Sequence, residues 1–217
     1  MSVSQSGSPS DRTVITISRQ MGSLGREVAR ATADRLGFRL VWRELINQAA
    51  IRCGSPEVAL AAIDELGLLG LCPSSKACRA YRQAVRQVME EIAAQGRAVI
   101  IGRAGQVILH DWQGALHIRV IAPVKVRALR IATLQGISLE TALAQVDASD
   151  RYRHRYLKRY YGVRWEDPDL YDLVINTSRM QPTDAAQLIE QALTFQVNSD
   201  LQLPSSPQEP TIHGAIE

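Results

Sequence analysis

Two stretches of this 217-residue chain carry residue types and spacings that could handle phosphate. The first, Thr13 to Arg30, reads TVITISRQMGSLGREVAR. Gly22 and Gly25 bracket Ser23 and Leu24, so successive backbone N–H groups can turn into one concavity, and a helix beginning near Arg26 adds the positive end of its dipole. Arg19 before the turn and Arg26 after it supply guanidinium groups that can grip phosphate bidentately. The second stretch, Asp147 to Arg164, sets Arg151, Arg153, Arg155, Lys158, Arg159 and Arg164 among Tyr152, Tyr156, Tyr160 and Tyr161. Transfer of a phosphoryl group needs cations around it in a water-poor site, which such a helix could supply. Cations interleaved with tyrosines also suit RNA or single-stranded DNA.

Each signal has a plainer reading. A phosphate loop runs Gly, four residues, Gly, Lys, then Ser or Thr. With Gly25 as the second glycine, Gln20 replaces the first, Arg26 the lysine and Glu27 the hydroxyl, leaving Ser23 as the nearest alternative hydroxyl for a phosphate-bound cation. An ordinary strand-to-helix turn fits equally. In the second stretch Arg151, Arg155, Lys158 and Arg159 share one helical stripe and Asp150 and Arg153 another. A solvated basic face, held by Asp147 with Arg151 and Asp150 with His154, accounts for the same pattern, and the tyrosines at 152, 156 and 160 could be core.

Taken together with VIIGRAGQVIL, these runs, ITISRQMGSLGREVA and SDRYRHRYLKRYYGVRWEDPDLYDLVINT, resemble the cytidylate-kinase-like family, relatives of the nucleoside monophosphate kinases. The resemblance spans about Thr13 to Ala192. It implies a phosphotransferase that uses ATP and Mg2+ and moves the γ-phosphoryl to a nucleoside monophosphate or another small phosphate-bearing acceptor. It also implies a strand order of 2-3-1-4-5, an acceptor-side helical subdomain at about 44–95 and a lid at about 125–164. Gly22, Ser23, Gly25 and Arg26 would hold the donor phosphates, with Arg19 beside them. Asp150 and Arg153 fall on the family's Asp-x-x-Arg pair, with Arg127 and Arg130 on the opposite lid helix, and Arg151 joins them around the transferred group. Asn176 and Thr177 would lie near the donor base. Arg103 would seat the acceptor or merely cap a loop. Trp42 and Ala104 stand where the family places aspartates on the acceptor side. These departures, with Gln20, Leu24 in an otherwise Gly-rich turn and Glu27, keep a non-catalytic nucleotide-sensing or RNA-binding module as the alternative.

The elements that must position these residues alternate. Thr13–Ile17 is β-branched and apolar, as a central parallel strand should be. Leu36-Gly37 stops the first helix, and 38–41 is a short second strand. Ser55-Pro56-Glu57 starts a helix ending at Gly67, and the apolar run 66–72 is a burial, closing or dimer surface. Ser74 or Ser75 caps a helix with Tyr81, Val85, Val88, Met89 and Ile92 on one face and Arg79, Arg82 and Arg86 nearby. That helix ends at Gln95-Gly96. Ala98–Ile101 is the third strand, and Leu116–Ile121 the fourth, less buried because His117 and Arg119 intrude; His117 is a structural residue rather than a base. Pro123 and Ser138 open the next two helices, with Gly136 between them. The fifth strand is 171–176, and Thr183-Asp184 starts a last helix with Ala186, Leu188, Ile189, Ala192 and Leu193 for the sheet. The expectation is an α/β three-layer sandwich with a five-stranded parallel sheet.

A composition that is 46% hydrophobic suffices for one core over 13–197, with disordered tails at 1–12 and 198–217. A formal net charge of +3 permits anionic partners without demanding them. Cys53, Cys72 and Cys78 show no CxxC spacing, so no metal site or disulfide framework is expected, and a reducing, cytoplasmic setting is favoured. No membrane-length apolar run occurs. Oligomeric state is not encoded in any motif.

Overall fold

The computed structural model describes residues 13–42, 51–52 and 75–200. β1 (Val14–Arg19), α1 (Gly25–Leu36), β2 (Arg39–Val41), α2 (Ser75–Gln95), β3 (Ala98–Ile101), α3 (Gly105–Ile108), β4 (Ala115–Ile121), α4 (Val124–Gln135), α5 (Leu139–Tyr161), β5 (Leu173–Asn176) and α6 (Pro182–Asp200) follow in order. The five strands form one sheet, β2-β3-β1-β4-β5, and every neighbouring pair is parallel. That is the three-layer α/β arrangement expected from the alternation of elements, with the strand order that the family resemblance implies. The 55–72 segment and the tails at 1–12 and 201–217 lie outside the described residues. α6 runs to Asp200, past the 197 boundary drawn from composition.

Strand alternation sorts the core into two faces. Ile15 and Ile17 join Val28, Ala29, Leu116, Ile118, Val120, Ala185 and Ile189 under α1 and α6. Val14 joins Val88, Met89, Ile92, Ile100, Leu109 and Trp165 under α2 and α3. The helix signals hold locally. Gly37 and Gly136 close α1 and α4 in left-handed conformation, and Ser138 caps α5 by accepting from the Thr141 N–H.

One expectation fails. β4 is as buried as its neighbours, with His117 at 5% and Arg119 at 6% exposure. Arg119 is well partnered, whereas His117 is bonded through Nδ1 alone and its Nε2 is buried without a hydrogen-bond partner. His117 Nδ1 lies 2.7 Å from Thr16 Oγ1 on β1. Arg119 donates to the Trp165 carbonyl and lies against the Trp165 and Tyr171 rings. Burial pushes the His117 pKa down, against the opposing pull of Asp172.

Candidate functional site

Because the strands are parallel, their C-terminal ends share one edge, where open α/β sheets place their ligand crevice. β1 delivers the glycine turn there, β3 the Gly102-Arg103-Ala104-Gly105 turn, and β4 the start of α4. Left-handed Leu24 (φ 60°) is the last residue before α1, which begins at Gly25, one residue earlier than the arginine suggests. Gly22 is also left-handed, at φ 76°.

The carbonyls of the turn are taken up one after another. Gln20 O accepts from the Ser23 N–H (3.3 Å) and the Ser23 hydroxyl (2.9 Å). Met21 O accepts from Arg127 (3.3 Å), Gly22 O from Arg130 (3.2 Å), Ser23 O from the Thr177 hydroxyl (2.7 Å) and Leu24 O from Val28 N–H (2.9 Å). The C=O and N–H on either side of one peptide bond point in opposite directions, so a turn whose carbonyls are bonded outward presents amides to its concave side. The first N–H groups of α1 have no carbonyl within the helix and point the same way. Amides of the turn other than that of Ser23, which bonds Gln20 O, can therefore be presented to an anion.

Side chains wedge this turn in place. A Cβ on Gly22 would stand 2.6 Å from the Arg127 carbonyl oxygen, and one on Gly25 would stand 2.3 Å from Arg19 Cβ. Arg19 threads between two turns, since a Cβ on Gly102 would meet its guanidinium at 2.6 Å. Gln20 does not leave an empty glycine position: its Oε1 accepts from the Ala122 N–H at 3.1 Å, tying the turn to the end of β4.

The candidate residues do not all converge. Arg127 is 1% exposed. It donates from Nε to Ala122 O (2.9 Å) and forks onto Asp150 at 3.2 and 2.7 Å. Arg130 is spent on Gly22 O, on Thr177 O (2.7 Å) and on Thr177 Oγ1 (3.2 Å). Both lie beneath the turn and hydrogen-bond to its carbonyls. Thr177, 1% exposed, bonds the turn at Ser23 O, while Asn176 is exposed and accepts from the Ser178 N–H. Asp150 pairs with Arg127 and not with His154, which meets Glu166 instead.

Arg151 and Arg153 are two positions apart, roughly 200° around α5, so the helix cannot aim both at one group. Arg151 is exposed and pairs with Asp147. Arg153 turns inward, donates to Ser149 Oγ and lies 5.7 Å from the Trp165 ring centroid. The basic stripe of Arg155, Lys158 and Arg159 is exposed, as its spacing suggests, and Tyr156 packs edge-on against Tyr160 and Tyr161.

Toward β2 the cations meet rings. The Arg26 guanidinium lies 4.1 Å over the Trp42 ring, and Arg82 lies 4.6 Å over Tyr160 while donating to its carbonyl. Arg103 stands in a run of three left-handed residues, Gly102 (φ 73°), Arg103 (54°) and Ala104 (58°). Such backbone is unfavourable for residues with a Cβ and gathers at functional turns. Nothing in the residue types at 103 and 104 signals it. Arg103 also lies near the Tyr156 and Tyr161 hydroxyls, whose pKa values burial pushes up and whose charged forms its guanidinium favours.

The Ser23 hydroxyl, the candidate for a phosphate-bound cation, is fully buried and spent on Gln20 O. Among the described residues, no group of three His, Cys, Asp or Glu side chains is placed to hold a metal. Among them, too, no helix is long and apolar enough to cross a membrane.

The sequence profile of the Cytidylate kinase-like family matches residues 14–179. The chain belongs to that family. Cytidylate kinase of Pyrococcus horikoshii is 30% identical over 190 residues, covering 85% of this chain and 90% of that protein. Among solved structures, an uncharacterised protein from Eubacterium ventriosum aligns with a TM-score of 0.65 at 21% identity, over 84% of this chain and 98% of the other. A gluconokinase from Sinorhizobium meliloti aligns at 0.51 and 14%, over 88% and 96%. These likenesses establish the kinase fold of this cytidylate kinase-like chain.

Proposed function

We propose that the protein is a nucleoside monophosphate kinase-like phosphotransferase that binds ATP at the 20–26 turn and passes its γ-phosphoryl to a nucleoside monophosphate or a similar small acceptor. The observation that carries this reading is the turn itself, whose carbonyls from Gln20 to Leu24 are all taken up by hydrogen bonds, so that amides other than those of Gln20 and Ser23, which donate to Val120 O and Gln20 O, can be turned to phosphate. Family membership and the name of the Pyrococcus relative support the reaction class.

Catalysis here is positioning and electrostatics. Arg26, exposed at the first turn of α1, would grip donor phosphate by turning from the Trp42 ring. Arg103, on its strained turn at the end of β3, would hold acceptor phosphate, and Arg153 would approach from α5. Arg127, Arg130 and Thr177 keep the turn in shape. Magnesium, implied by the resemblance, would arrive bound to the nucleotide phosphates, which would supply its ligands.

Trp42 and Ala104 leave the acceptor side without two carboxylates, so the acceptor need not be a cytidine nucleotide. ADP release from ATP and magnesium, measured across the common nucleoside monophosphates, tests the reading. Turnover with one acceptor, lost in Arg26→Ala, is expected. ATP binding without turnover on any of them would make a nucleotide-sensing module the better account, and binding of single-stranded RNA that weakens steeply with salt would identify an RNA-binding one.

A further inference from the structure

Asp150 sits on α5, 23 residues beyond the arginine it holds. A guanidinium as enclosed as Arg127's demands a nearby carboxylate, and Asp150, 26% exposed, is its ion-pair partner. The same guanidinium reaches Met21 O in the turn and Ala122 O at the end of β4. Asp150 therefore fixes the rotamer of a side chain that holds the phosphate turn from below.

Two further contacts run the same way. Ala128 and Ile131 of α4 pack with Ala142 and Val146 of α5 in a small core apart from both sheet faces, and Met21 of the turn is packed against it. The Gly22 backbone rests directly on the Arg127 backbone. The α4–α5 hairpin, closed by its own salt bridge, is thus joined to the turn by the Arg127 hydrogen bond to Met21 O, a hydrophobic cluster and a backbone contact.

We propose that the Arg127–Asp150 pair couples the α4–α5 hairpin to the phosphate turn, with Asp150 acting as a positioning residue for donor phosphate and not as a group that meets substrate. The proposal rests on the turn being the ATP site. Displacing α5 relative to α4 would strain or break the fork on Asp150, free Arg127 from Met21 O and loosen the cradle. Conversely, phosphate that stiffens the cradle would favour the hairpin arrangement that keeps the fork closed.

The test is amide hydrogen exchange on the nucleotide-free full chain, comparing wild type with Asp150→Asn and with Arg127→Lys, which keeps the charge but loses the fork. Amides of residues 20–26 are expected to exchange about tenfold faster in both variants while those of β1 and β3 keep their protection. In calorimetry the ATP Kd is expected to rise about tenfold, with the acceptor KM unchanged. Unchanged exchange in the turn overturns the proposal. So does faster exchange spread evenly over the sheet, which would make the pair a general stabiliser, or an acceptor KM that rises while the ATP Kd holds. Wild-type protein that turns over no acceptor would count against the kinase reading alone, because the exchange measurement needs neither substrate.

Discussion

The 20–26 turn has two flanks, and arginines sit differently on them. On the α4 flank, Arg127 and Arg130 are drawn under the turn and saturated by carbonyls, a carboxylate and a threonine. On the β2 flank, exposed Arg26 lies over the Trp42 ring, a contact that holds a cation in a defined direction. A buried guanidinium with its fork filled is a structural part, since moving it would strand a charge. An exposed one against a ring face, a contact worth about 1 kcal/mol, keeps room to turn toward a phosphate. Count and spacing of arginines alone do not separate the two kinds.

The largest effect that would sharpen this contrast is expected at Arg127. Arg127→Met should lower unfolding free energy in urea by about 3 kcal/mol, because it leaves Asp150 and two carbonyls without their donor. Arg155→Ala, on the exposed side of α5, should stay within about 0.5 kcal/mol of wild type in the same titration. Equal losses at the two positions would erase the distinction.

Next comes the wedge. Gly25→Ala places a Cβ 2.3 Å from Arg19 Cβ, a root atom with nowhere to retreat, and should cost about 2 kcal/mol. ATP affinity should fall with it, since the N-terminus of α1 must shift. A variant that melts like wild type would show the turn to be looser than its contacts imply.

The smallest effect is one of pH. Burial holds the folded-state pKa of His117 down. Above about pH 6.5 the ring is neutral folded or unfolded and contributes no pH dependence. As pH falls below that value, the unfolded chain binds a proton that the folded chain refuses, so stability drops until the folded pKa is reached. Chemical denaturation between pH 7.5 and 5 should show a shallower acid-side decline in His117→Gln than in wild type. Parallel curves would mean that the ring is protonated in place.

How much of this could be read beforehand depends on distance along the chain. β1, the Gly37 and Gly136 stops, the Ser138 cap and the helix end at Gln95-Gly96 are local signals, and they hold. Strand order came from the family resemblance, not from any residue. What escaped was burial that depends on remote partners. His117 and Arg119 look like intrusions in β4 until Thr16, Trp165 and Tyr171 are brought beside them. Arg127 did leave a trace, being one helical turn from Ile131 on the apolar side of α4, where a cation needs a partner. The left-handed Leu24, Arg103 and Ala104 left none, because no residue type there prefers that backbone.

Arg19 sets an order in which this site could change over generations. Its guanidinium end crowds Gly102, so a shorter residue at 19 would open that space, leaving only the backbone cost of φ 73° to forbid a side chain at 102. At Gly25 the obstacle is Arg19 Cβ, which every residue but glycine carries. A lineage could thus shed Gly102 after losing Arg19, whereas Gly25 is locked in by any side chain at 19 and should be among the last of the turn to drift.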